Sequence, residues 1–159
     1  MGKTRKPKAA IGGPYLDAAF ICEQLLREKD GTYSAIRMVN KITLHAMPID
    51  KGQIVQLPLS LVISFKAGDC RDAKMFSLYV TNPSGLRSHM PLLEHRHPAT
   101  FSGGDTGVIA SCPLFVEYDE QGTYWIDVVM DGRRHSRVPL TLALTKDPKP
   151  PLESAVPQG

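Results

Sequence analysis

Residues 108–144 read VIASCPLFVEYDEQGTYWIDVVMDGRRHSRVPLTLAL, and the period of this stretch decides the fold. Val108, Ala110, Cys112, Leu114, Val116 and Tyr118 fall on every second position. After Glu120-Gln121-Gly122, Tyr124, Ile126, Val128 and Met130 do the same. After Asp131-Gly132, so do Val138, Leu140, Leu142 and Leu144. A two-residue period puts apolar side chains on one face of an extended chain. Asp-Gly is a pair that tolerates the positive φ angles of a tight hairpin turn. Three such strands with short turns predict an antiparallel meander.

The same period extends towards the N-terminus. Val55, Leu57, Leu59, Leu61, Ile63 and Phe65 share one face of a strand, with Pro58 on the other face as the mark of an edge or a bulge. Phe76, Leu78 and Val80 follow, ended by the turn residues Asn82-Pro83-Ser84-Gly85. The polar stretch 85–106 is expected to be a long surface loop. Residues 15–29 are rich in helix formers, but Asp30-Gly31 stands where a hairpin would turn. A strand with Leu16, Ala18, Phe20 and Cys22 on one face is therefore expected. Its partner carries Ile36, Met38, Ile42 and Leu44, interrupted by Asn40.

Seven strands in regular succession predict an all-β, immunoglobulin-like antiparallel β-sandwich spanning 15–146. A flexible basic arm, 1–14, precedes it. A proline-rich tail, 147–159, follows it with polyproline character. Two stretches carry a resemblance. They are Ala19-Phe20-Ile21-Cys22-Glu23-Gln24 with Asp30-Gly31 and Ser34-Ala35-Ile36, and Gly122-Thr123-Tyr124-Trp125-Ile126-Asp127 with Asp131-Gly132. Together they resemble a family of small bacterial and phage-associated immunoglobulin-like sandwiches with no assigned function. The resemblance implies a fold and no catalytic residues. It gives Tyr124 a structural role, fixing a corner through its hydroxyl.

Composition narrows the function classes. The chain has 159 residues, 42% of them apolar, and a net charge of +3. It is long enough to bury a core without disulfides or metal. Lys3, Arg5, Lys6 and Lys8 supply the excess charge, which leaves the remainder close to neutral. No apolar run has the length of a membrane span, so no membrane partner is expected. Nor does an apolar signal stretch follow the basic N-terminus, and the expected address is the cytoplasm. Cys22, Cys70 and Cys112 show no metal-site spacing. Cys70 is expected in an exposed loop beside Arg71.

Three clusters are candidates for chemistry. His89, Glu94, His95 and His97 bring metal-ligand side chains into one segment, and His95-x-His97 on a strand would share a face. Arg133, Arg134 and Arg137, with the N-terminal cations, form a candidate contact for nucleic acid or an acidic partner. Ser102-Gly103-Gly104-Asp105-Thr106-Gly107 is glycine-rich but lacks the following helix of a phosphate-binding loop. Asp127 is an odd polar residue on the outer face of a strand, placed to pair across the sheet. His135, beyond the last turn, is expected to be exposed. No nucleophile elbow or paired carboxylates occur. The expectation is a non-enzymatic interaction module without a cofactor, binding a protein partner or itself. The alternatives are a metal-dependent enzyme using His89, His95 and His97, and a nucleic-acid-binding accessory protein.

Overall fold

The computed structural model describes residues 12–45 and 49–145. Lys3, Arg5, Lys6 and Lys8 and the proline-rich tail lie outside the described residues. Within them the regular elements are strands: β1 (Tyr15–Arg27), β2 (Tyr33–Met38), β3 (Lys41–His45), β4 (Ile54–Gly68), β5 (Ala73–Thr81), β6 (Arg87–His89), β7 (His97–Thr100), β8 (Gly104–Glu117), β9 (Gly122–Met130) and β10 (Arg133–Thr145). They form two sheets, one ordered β2-β1-β4-β8 and one ordered β3-β10-β9-β5-β6. β7 pairs with β5 on the same flank as β6, so the two short strands lie end to end.

The apolar faces meet as the alternation predicts. Leu57, Leu61, Ile63 and Phe65 of β4 share one buried cluster with Phe76, Leu78, Tyr124, Ile126, Leu140 and Leu142 of the opposite sheet. Asp131 and Gly132 adopt φ angles of 51° and 73°, as the tight turn between β9 and β10 requires. Pro58 marks a bulge, not an edge. β4 runs between β1 and β8, and its register with β8 slips between Leu57 and Ser60.

Four expectations need correction. The segment 36–44 is two strands, because the chain leaves one sheet at Val39-Asn40 and joins the other as β3, parallel to β10. The stretch 85–106 is not simply a surface loop. It contributes β6 and β7 and buries Met90, Ala99 and Phe101 in the core. In β1 a register shift between Leu16 and Ala18 moves Leu16, Ala19 and Ile21 onto the core side. Cys22 is buried as well, but outside that cluster. Cys70 is buried rather than exposed, and all three cysteines are free thiols.

Tyr124 closes the corner between β8 and β9. Its hydroxyl accepts from the Asp119 N–H at 2.9 Å and donates to the Glu120 C=O at 3.1 Å. The ring itself is fully buried.

Candidate interaction surfaces

The outer face of the larger sheet carries a continuous polar row. Arg137 of β10 stands directly opposite Asp127 of β9, which stands opposite Tyr79 of β5, which stands opposite His89 of β6. At about 4.8 Å per strand the row spans roughly 14 Å. Asp127 is only 1% exposed. It accepts from Arg137 Nε at 2.7 Å and Nη2 at 3.1 Å, and from Arg87 Nε at 3.3 Å. Arg134 Nη1 lies 4.0 Å away. Burial is the largest single influence on this carboxyl and would raise its pKa. The Arg137 hydrogen bonds and the charges of Arg137, Arg134 and Arg87 together outweigh it and hold the group below the usual range.

Planar groups continue the row. The Arg87 guanidinium lies 3.9 Å from the Tyr79 ring centre, and the His89 ring packs on Tyr79 with 4.2 Å between centroids. His95 stacks on His89 at 4.1 Å and 12°. Burial, then the charges of His95 and Arg87, lower the His89 pKa. Arg137 also stands 5.9 Å from the exposed Trp125 ring. Two polar atoms on this face, Thr81 Oγ1 and His89 Nδ1, are buried without a hydrogen-bond partner.

The three candidate metal-ligating histidines do not converge. His89 and His95 come together, but stacked rings hold their nitrogens in parallel planes instead of aiming them at one point. His97 pairs with Phe76 across β5 and β7 and stacks on its ring at 5.1 Å. Among the described residues no three His, Cys, Asp or Glu side chains are grouped to hold one ion. Of the predicted arginines, Arg134 and Arg137 gather at Asp127, while Arg133 is exposed beside the hairpin turn. His135 is half-buried, not exposed. The register slips between Arg134 and Ser136, and the imidazole lies edge-on to Phe65. Sequence reasoning noticed Asp127 but missed Arg87 and Tyr79. Both lie on segments whose pairing partners no local pattern reveals.

A second surface is the β1–β2 hairpin. β1 pairs with β4 only as far as Cys22, whereas its pairing with β2 continues to Arg27. The hairpin therefore projects past the sandwich, and all six residues of β2 are exposed. Met38 is 65% exposed, and Leu26, Tyr33 and Ile36 are also accessible. Asp30 Oδ1 fixes the turn by accepting from the Thr32 N–H and hydroxyl. Between hairpin and sandwich lies a groove of about 510 Å³ lined by Ile36, Val39, Ile42, Pro58 and Leu59. A cleft near Asn82 and Ser84, of about 300 Å³, already holds its own ion pair of Lys51 with Asp119 at 2.6 Å.

Two facing sheets, a parallel pairing of β3 with the last strand and a tyrosine-fixed corner define an immunoglobulin-like β-sandwich. No family model matches the chain, and no curated protein matches it in sequence. Among solved structures it is similar to an immunoglobulin-like protein from Pseudomonas aeruginosa, at 12% identity and a TM-score of 0.37, over 85% of this chain and 99% of that one. It is also similar to the alkylpurine DNA glycosylase AlkC of Pseudomonas fluorescens, solved bound to DNA, at 8% identity and a TM-score of 0.36. That match covers 79% of this chain and 30% of the glycosylase, so the chain spans under a third of that protein's length. Neither likeness bears on function. Among the described residues no helix is long and apolar enough to cross a membrane.

Proposed function

We propose that this chain is a non-enzymatic interaction module that docks a protein strand along the open edge of β2, a second copy of itself being the first such partner. The observation that carries this reading is the full exposure of β2 on a hairpin that overhangs the sandwich. An exposed edge strand offers unpaired backbone groups to another strand. The bond from the Glu28 N–H to the Thr32 C=O sets the alternation of the hairpin, which turns the backbone groups of Tyr33 and Ala35 outwards. A twofold axis at Ala35 then sets the outward backbone groups of the two strands opposite each other, ending at Arg37, where φ turns to 48° and the guanidinium is held by Glu23 at 3.0 Å. The other free edge of that sheet, β8, carries Pro113, which blunts pairing.

Three buried thiols free of disulfides fit a reducing cytoplasm. Sedimentation equilibrium tests the reading. The full chain is expected to dimerise reversibly, and Ala35→Pro, which removes an edge N–H, is expected to leave a folded monomer. A strict monomer at high concentration, or a dimer indifferent to Ala35→Pro, would contradict it.

A further inference from the structure

We propose that the outer face of the larger sheet, from Trp125 to His95, binds single-stranded nucleic acid. Arg87, Arg134 and Arg137 take phosphates, and the open ring faces of Trp125 and His95 stack on bases. This surface is on the opposite sheet from the β2 edge, so the inference stands apart from the dimer.

The cations are held ready. Arg137 gives Nε and Nη2 to Asp127, and Arg87 gives Nε alone. Their other guanidinium nitrogens remain available to a ligand. Anchoring at a buried carboxylate fixes the two forks before a ligand arrives, which lowers the entropy lost on binding. Three arginines against one aspartate leave the face positive. Asp131, at the neighbouring turn, is already paired with Lys74 at 3.3 Å.

The flat groups choose between anionic ligands. Trp125 is the one tryptophan of the chain, and it is 38% exposed on the sheet face instead of in the core. At the far end His95 is exposed and stacks on His89, which closes one side of its ring. A carboxylate-rich protein surface makes no use of such ring faces. A duplex keeps its bases stacked away from them. A single strand carries both phosphates and free base faces, and a positive groove interleaved with aromatic rings is how such strands are held.

The test is a titration of the full chain with a short oligothymidylate at low salt, followed by Trp125 fluorescence. Saturable quenching is expected. The logarithm of the affinity is expected to fall with the logarithm of salt at a slope of about −2, near 0.7 for each of three phosphate contacts. Trp125→Ala, followed by an end-labelled oligonucleotide, should weaken binding about tenfold. Arg134→Ala, the least buried contact, should reduce the slope by about 0.7 with the fold intact. Binding indifferent to both variants would assign the affinity to other cations of the chain, Lys3, Arg5, Lys6 and Lys8 among them, and overturns the proposal. Equal binding of duplex DNA, or of a polyglutamate peptide with the same Trp125 dependence, also overturns it. So does an unchanged fluorescence at low salt.

Discussion

Asp127 Oδ1 accepts a 2.7 Å hydrogen bond from Nε of Arg137, its direct cross-strand partner on β10. A carboxylate on the outer face of a sheet ordinarily meets water. Here the arginines close over it, and the pair ties β9 to β10 while the Arg87 contact ties β9 to β6. The charge is affordable inside this cover because two guanidinia hydrogen-bond to it.

Replacing Asp127 by Asn keeps the shape and removes the charge. The arginines then face one another without an anion between them. Chemical denaturation is expected to show a loss of about 3 kcal/mol, the low end for breaking a buried pair, because the arginines reach water. A loss below about 0.5 kcal/mol would mean that the pair contributes nothing.

The same carboxylate contributes to the acid limb of stability, as do Asp119 and Asp30, whose pKa values are lowered too. Its folded pKa lies below the unfolded value, so its contribution is complete above about pH 4 and is lost as pH falls through the folded value. Asp127→Asn should flatten that limb. A limb equally steep in both proteins would place the acid sensitivity elsewhere.

His89 acts in the next window. Burial and the neighbouring charges of His95 and Arg87 favour its neutral form, so folding opposes protonation. Stability is expected to be full above about pH 6.5 and to decline as pH falls from there through the folded pKa. His89→Phe keeps a ring on Tyr79 and removes the titration. Its melting temperature should vary less between pH 7 and pH 5 than that of the natural chain. Identical pH profiles would contradict this.

Tyr124→Phe leaves the Asp119 N–H and the Glu120 C=O without the hydroxyl that joins them. Since the ring remains, the expected cost is about 1–3 kcal/mol, with an unchanged circular-dichroism spectrum. A neutral substitution would show that the corner is held by packing alone.

Much of this architecture was legible in residue order. The alternation from Val108 to Leu144 predicted three strands, their turn and the inward face, and Tyr124 was recognisable as a corner residue. The misreadings share one cause: a residue inserted into or bent out of a ladder leaves little trace in composition. The slip after Leu16 exchanged the faces of β1, and the extra residue at His135 turned that ring inwards. Asn40 broke the pattern visibly, yet nothing local said that the chain changes sheets there. His97 looked like a partner of His95, but β7 needs an edge on β5, and that pairing sets the ring on Phe76. The arginine site was half visible. Arg134, Arg137 and Asp127 sit close in sequence, whereas Arg87 and Tyr79 arrive by strand pairing from 40 or more positions away.

Amide hydrogen exchange as a function of protein concentration examines the β2 edge most directly. Residue-resolved rates at Tyr33 and Ala35 are expected to slow as the chain is concentrated, while the amides of β9, buried at the centre of its sheet, stay unchanged. Rates at Tyr33 and Ala35 that stay fast and independent of concentration, up to the solubility of the chain, would contradict docking through this strand.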